Sequence, residues 1–115
     1  MRIFLPLATF AAALSPAVAQ ATPVYLTCDF TYEGKPQPRK FTLDEGRGTA
    51  TIFYPETTES QTLDAHFSDL TVLFETYVDR YGINRASLVG FRQAKLDNVI
   101  DQAQCRIETT PKRAF

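Results

Sequence analysis

Two cysteines, Cys28 and Cys105, limit what this chain can fold into more than any other feature of its sequence. They are its only cysteines, and 77 positions (105 − 28) separate them. That separation is far from the Cys-x-x-Cys spacing typical of a redox couple, so a structural disulfide is the favoured interpretation. Such a bridge would join the first strand of a domain to its last and enclose most of the domain in one covalent loop.

The first nineteen residues have the three parts of a secretory signal peptide. Arg2 precedes a short apolar run, and an Ala-Val-Ala cleavage site ends just before Gln20. A membrane-spanning helix needs about 20 apolar residues, whereas this run is shorter and is interrupted by a proline. We therefore predict a signal peptide over 1–19 and a mature domain over 20–115. The mature domain is expected in the periplasm or secreted, without a membrane anchor.

The mature chain is close to electrically neutral. Of the 12 Lys and Arg and the 13 Asp and Glu, only Arg2 lies in the predicted signal peptide, which leaves a net charge of −2 (11 − 13). The bases are scattered singly or in pairs such as Arg39-Lys40, whereas nucleic-acid binders concentrate them on one face to neutralise phosphates. We expect no nucleic-acid partner. The remaining 96 residues (115 − 19) suit one domain.

Alternating apolar and polar residues predict β-strands along most of the mature chain. Residues 25–31 alternate in this way, and residues 41–54 form two such runs around a Gly-Arg-Gly turn, which predicts a hairpin. Residues 33–38 carry one glycine and two prolines and are predicted as a loop or turn. Further strand patterns begin at Leu63, Leu70, Tyr77 and Leu88.

The segment 92–103 allows two interpretations. Its apolar residues at i, i+3, i+4 and i+7 match one face of a helix, whereas Asp97 and Asn98 also suit a turn between two short strands. We favour strands because the neighbouring segments are β. About seven to eight short strands predict an all-β fold, a small antiparallel sandwich or partly closed barrel with one disulfide. No internal repeat is evident, and the C-terminal tail from Thr109 is predicted to fray.

His66 is the only histidine, and it would share one strand face with Asp64 and Ser68. Side chains two positions apart on a strand are separated by about 7 Å, whereas a nucleophile and its base need a hydrogen bond of roughly 3 Å. We interpret the row as a solvated strand face and assign no catalytic residue. One histidine and two bridged cysteines leave too few ligands for zinc, so no metal and no cofactor are expected.

Aromatic residues are the feature that most favours binding. Nine Phe and five Tyr make up 12% of the sequence, and they do not all fit one buried face. Aromatic side chains left at a surface favour contact with a protein or a ligand. Tyr54, Tyr77 and Tyr81 are therefore the candidate binding residues.

Several segments resemble small exported one-domain proteins of unknown function from alphaproteobacteria. The resemblance rests on the strand around Cys28, the hairpin over 41–50, the turn over 81–88 and the late Cys105. In those proteins a Tyr-x-Ile-Asp-Arg-x-Thr turn precedes a late strand and a final cysteine, and here Asn84 takes the place of the Asp. The resemblance implies a β domain and no particular activity.

The start of the domain, Tyr25-Leu26-Thr27-Cys28, is also similar to that of periplasmic inhibitors of c-type lysozyme. Those inhibitors are likewise small disulfide-tied β-barrels, and their Ser-Gly-x-x-Tyr inhibitory loop is absent from this sequence. This resemblance implies an inhibitor-like binding domain.

Two functional hypotheses follow from the sequence. The favoured one is a non-catalytic binding module whose partner is an unidentified protein or a small component of the envelope. The alternative is a small envelope hydrolase with its site around His66. The first hypothesis rests on the aromatic content, and the second on the single histidine.

Overall fold

The computed structural model describes residues 22–109 and contains nine β-strands, all of them paired antiparallel. None of these residues forms a helix long and apolar enough to cross a membrane. The all-β prediction is confirmed, with slightly more strands than expected. The strands are β1 (Val24–Tyr32), β2 (Lys35–Asp44), β3 (Thr49–Tyr54), β4 (Glu59–Asp64), β5 (His66–Phe67), β6 (Thr71–Glu75), β7 (Asp79–Asn84), β8 (Val89–Ala94) and β9 (Ile100–Glu108).

The strands form one sheet in the order β4-β3-β2-β1-β9-β8-β7-β6-β5, which curls into a nearly closed barrel. Two junctions join the N-terminal strands to the C-terminal strands. The first seam lies between β1 and β9, where Tyr25–Cys28 pair with Cys105–Glu108. The second seam lies between the continuous edge formed by β4 and β5 and the neighbouring strand β6, and only two residue pairs join it.

Inward-facing apolar side chains from most strands fill the barrel. Four aromatic rings form its centre, with centroid separations of 5.3 to 6.0 Å and mostly edge-to-face contacts. Such contacts add to the stabilisation from apolar burial. The four rings belong to Phe30, Phe41, Phe74 and Tyr81, all at most 4% exposed.

The predicted disulfide between Cys28 and Cys105 is confirmed. The two residues face each other directly across the first seam, with their Cα atoms 4.0 Å apart. Gly90 on the neighbouring strand leaves room for the bridge, because a Cβ there would lie 2.8 Å from Cys105 Sγ. The bridge and the glycine therefore form one packing unit.

Two local predictions are resolved by the strand boundaries. Segment 92–103 forms strands, as favoured, because β8 ends at Ala94, Asp97 and Asn98 lie in the connecting turn, and β9 begins at Ile100. The loop or turn predicted over 33–38 is a turn at Glu33 and Gly34 only, and the prediction was wrong from Lys35 onward, where β2 begins. Its two prolines are tolerated because β3 pairs with β2 only from Lys40 onward, which leaves the proline-bearing part as an edge that needs no N–H donor on that side.

The two halves of the barrel repeat one arrangement 40 positions apart. The first turn of each half, 44–48 and 84–88, starts with an Asp or Asn side chain that accepts a hydrogen bond from the amide three residues later, at 3.1 and 2.8 Å. Each of these turns ends in a residue with positive φ, 68° at Gly48 and 61° at Leu88.

The second turn of each half repeats in the same way. In 54–58 and 94–98 the amide of the last residue donates to the carbonyl of the first, at 2.8 Å in both. The last residues, Thr58 and Asn98, have φ values of 59° and 60°. The two halves thus share these features of their turns, although the amide of Gly48 donates to Glu45 and that of Leu88 to Asn84.

Side-chain burial follows the same plan, although the side chains themselves differ. Residues 41–50 and 81–90 have the same pattern of buried, half-buried and exposed positions, residue by residue. Residues 39–68 and 79–108 nevertheless share no identical amino acid at equivalent positions. The repeat lies in backbone and burial alone, which is why no internal repeat is evident in the sequence.

The predicted signal peptide, 1–19, and the predicted frayed tail beyond Thr109 lie outside the described residues. The single β domain that the structure describes is the part of the chain between them. The functional site is therefore sought on the barrel.

Candidate binding groove at the second seam

A groove opens at the second seam, at the point where strand pairing stops. His66 pairs with Leu73 and Phe67 with Val72, and no further pair joins β4 or β5 to β6. The space beyond these pairs is a cavity of about 470 Å³. Its walls and floor are formed by Asp64, Ala65, His66, Leu73, Phe74, Glu75, Arg80 and Tyr81.

Both walls of the groove end in unpaired strand edges. β4 pairs with β3 along all six of its residues, and its other edge has no partner strand within residues 22–109. In β6, Phe74 and Glu75 pair with β7 only. Free edges present N–H and C=O groups that are ready to pair with another extended chain.

The floor of the groove is aromatic. Phe74 and Tyr81 are 4% and 3% exposed, and their rings stack with centroids 5.4 Å apart. Tyr81, one of the candidate binding residues, is thus a core residue whose ring reaches the groove from below. Burial raises the pKa of its phenol, and the negative charge of Asp79 adds to this shift.

An exposed apolar tip follows the end of β6. Tyr77 and Val78 are 92% and 58% exposed, and they follow Thr76, which is buried. The Thr76 hydroxyl accepts hydrogen bonds from the amides of Val78 and Asp79, at 3.1 and 2.9 Å, and the Lys95 amide donates to the Val78 carbonyl at 2.8 Å. The candidate residue Tyr77 is therefore held outward in a defined turn.

A polar cluster occupies the barrel end that includes the third candidate, Tyr54. Arg39 is 7% exposed, donates to both carboxylate oxygens of Glu56 at 3.1 and 2.9 Å, and lies 4.8 Å from the centre of the Tyr54 ring. The Tyr54 hydroxyl donates to Gln61 on β4 at 3.3 Å. Burial raises the pKa of Tyr54 and that of Asp79. Tyr54 is thus half-buried and fixed beside the β4 edge.

At the same end of the barrel, the first seam is filled by Arg92. Arg92 is 6% exposed, and its guanidinium donates to the Thr31 carbonyl on β1 at 3.0 Å and to Asp101 on β9 at 2.9 Å. Arg92 therefore bridges β1 and β9 beyond the residues where they pair. The equivalent position in the first half is Ile52, which has no polar group to bridge the second seam.

The residues of the hydrolase hypothesis lie at the closed end of the groove. His66 is exposed and lines the cavity together with Asp64. The Ser68 hydroxyl lies 3.0 Å from that of Thr71, and Ser68 forms no hydrogen bond to His66. Within residues 22–109, no three His, Cys, Asp or Glu side chains are grouped to hold a metal ion.

The opposite end of the barrel holds an apolar cavity of about 230 Å³. Glu45 and Arg85, which occupy equivalent positions in the two halves, both line it and pair with each other at 2.7 Å. The hydrogen bond from Arg85 lowers the pKa of Glu45. This end is tied by a salt bridge, whereas the groove has free strand edges.

Two of these features were not found from the sequence. Residues 59–62 are all polar, so β4 shows no apolar alternation, and only its pairing with β3 makes it a strand. Arg92 was assigned to the doubtful segment without a role. Its position two residues after the inward-facing Gly90 was the available signal, because it places a charged side chain inside the barrel.

Comparisons with protein-family models, curated proteins and solved structures find no match to this chain. A functional hypothesis therefore rests on the geometry of the groove and of its surroundings.

Proposed function

We propose that this protein is an exported, non-catalytic binding module that captures a partner protein at the groove of the second seam. The observation that carries the proposal is the cavity of about 470 Å³ between two unpaired strand edges, with an aromatic floor. A concave site with an aromatic floor and with free backbone hydrogen-bonding groups at its rim has the two properties that protein recognition by strand edges requires.

Exposed apolar side chains extend the binding surface beyond the cavity. Leu73 on the groove wall is 49% exposed, and the Tyr77–Val78 tip follows on the same strand edge. Aromatic and aliphatic residues of this kind form the energetic centre of protein interfaces. The groove and the tip together form a continuous candidate surface along β6.

Export is supported by two independent features. The three-part pattern of residues 1–19 matches a secretory signal peptide, and the domain is tied by the Cys28–Cys105 disulfide. Disulfides form and persist in oxidising compartments, which supports a location in the periplasm or outside the cell.

Binding is favoured over hydrolysis for a chemical reason. The groove brings together strand edges and apolar side chains, and among the described residues it contains no activated nucleophile. The only histidine has neither Asp64 nor Ser68 as a hydrogen-bond partner. A catalytic nucleophile needs a base within hydrogen-bond reach. An inhibitor-like role at the groove requires only binding.

Site-specific photo-crosslinking tests the proposal. A photoreactive residue replaces Leu73 in the groove or, as a matched control, Leu96, which is 96% exposed in the 94–98 turn and outside the groove. In cells that export the protein, we expect one discrete crosslinked protein from position 73 and none from position 96. Tyr77→Ala should reduce the yield several-fold, because it removes the exposed aromatic contact.

Two results would contradict the proposal. Equal crosslinking from both positions would show non-specific contact with exposed apolar residues. Hydrolysis of peptidoglycan or of an ester by the pure protein, abolished by His66→Ala, would establish the enzymatic alternative instead.

A further inference from the structure

The two seams occupy equivalent places in the two halves of the barrel. The first seam therefore shows which contacts can join two strands at such a place. There, the last strand of the second half, β9, pairs with the first strand of the other half, β1, through four residue pairs. By the same plan residues 65–68, the equivalents of 105–108, would pair with β6, yet among them only His66 and Phe67 do so. β4 is equivalent to the part of β9 that also has no pairs with β1. The second seam thus lacks strand pairing that its equivalent has.

No side chain of the described residues bridges the second seam in place of the missing strand pairs. In the first seam, Arg92 donates to the free Thr31 carbonyl and to Asp101, which satisfies edge groups where β1 and β9 separate. The equivalents of Arg92 and Asp101 are Ile52 and Gln61, and Ile52 is fully buried and apolar. The β4 edge therefore remains available beside an aromatic floor.

We infer that the groove receives an extended segment of the partner protein, which adds as a strand antiparallel to β4. This inference rests on the proposed function and specifies its partner. The edge of a strand offers alternating N–H and C=O groups, and an extended main chain is the ligand that satisfies such a row. β4 offers six residues of edge, against two in β6, and so is the template.

The groove also sets the side chains that such a segment needs. Alternate residues of an added strand point to one face, so one apolar side chain in the middle would reach Phe74 and Tyr81 on the floor. β4 carries an acid at each end, Glu59 and Asp64, and no base. A segment with an apolar centre and a basic residue at each end fits these contacts.

A synthetic hexapeptide, Lys-Val-Thr-Phe-Thr-Lys with blocked ends, is the probe, because its two lysines are five positions apart, as Glu59 and Asp64 are. Its titration into the intact mature protein is followed through the backbone amide signals by NMR. We expect saturable shifts confined to β4 and the facing part of β6. Two N-methylated versions of the peptide carry the methyl groups on alternate amides, so each blocks hydrogen bonding along one edge of the peptide. Only the version that loses the hydrogen bonds to β4 should bind at least tenfold more weakly.

A charge swap provides the matched variant. Glu59→Lys with Asp64→Lys should reverse the preference, so that a peptide with Glu at both ends binds more tightly than the original. Asp97→Lys, in an exposed turn outside β4, should leave the preference unchanged.

The inference is overturned by no saturable shift at millimolar peptide, or by equal loss of binding with both N-methylated peptides. Shifts of the β4 amides on concentrating the protein alone would assign the edge to a second copy of the chain and would likewise overturn it. These failures leave the proposed function standing if the position 73 crosslink persists. Loss of that crosslink, with His66-dependent turnover, identifies failure of the proposed function itself.

Discussion

The first seam and the second seam are built from the same backbone plan, yet the first is cross-linked and the second leaves strand edges unpaired. The first seam has four residue pairs, a buried disulfide and the Arg92 bridge. The second seam has two residue pairs, with Ala65 and Ile52 at the positions equivalent to Cys105 and Arg92. At these two positions the first seam has a covalent link and an ionic link, and the second seam has neither.

This comparison shows that turns and burial specify the barrel, whereas a few side chains specify its closure. The turns over 44–48 and 84–88 share the hydrogen bond to the side chain of their first residue, and burial around them is the same. Strand pairing across a seam joins residues far apart in the chain, and so carries a larger entropic cost than a hairpin. A covalent bond or a buried ionic bridge offsets that cost at one seam only.

The largest expected effect comes from removing the disulfide of the first seam. Cys28→Ala with Cys105→Ala should lower the free energy of unfolding by about 4.5 kcal/mol, since the bridge closes a loop of 77 residues in the unfolded chain. Denaturant unfolding measures the loss. Amide exchange at Leu26 and Ile107 should also accelerate, because these residues pair at this seam.

Ala65→Ser is the matched control for that experiment, because Ala65 is the equivalent of Cys105 at the second seam. It should change the free energy of unfolding by less than about 1 kcal/mol, since the site is only half-buried. A double alanine variant as stable as the parent would show that the first seam is held by its strand pairs alone.

The next largest effect tests the Arg92 bridge. Arg92→Met keeps an apolar stem inside the barrel but leaves Asp101 and the Thr31 carbonyl without their donor, which should cost about 2 kcal/mol. Arg106→Met is the control on the outer face of the same seam. Its ion pair with Asp29 is more than half exposed, so it should cost at most about 1 kcal/mol. Equal losses in denaturant unfolding would contradict a special role for Arg92.

The sequence allowed the fold class and the disulfide to be predicted for clear physical reasons. The alternation over 25–31 and the Gly-rich hairpin over 41–54 are local signals that survive without tertiary information. Only two cysteines were present, so the pairing of Cys28 with Cys105 had no competing choice. The turn at Asp97 and Asn98 followed from its neighbours.

The groove was beyond sequence reasoning because its parts are defined by tertiary pairing. β4 is polar throughout its first four residues, so only its register with β3 identifies it as an edge. From the sequence, Tyr81 and Tyr77 are both aromatic residues in a region of predicted strands. In the structure Tyr81 is buried and Tyr77 is 92% exposed. The local sequence does not contain the Thr76 turn geometry that separates them.

The smallest effect compares the two second turns, where equivalent residues have the same φ but different side chains. Thr58 and Asn98 have φ values of 59° and 60°, a region that Asn adopts far more easily than a β-branched residue. Thr58→Asn should therefore raise the free energy of unfolding by about 0.5 to 1 kcal/mol, and the reciprocal Asn98→Thr should lower it by a similar amount. Thermal melts should shift by a few degrees in opposite directions. Shifts in the same direction would mean that contacts specific to each turn, and not the shared backbone conformation, decide its stability.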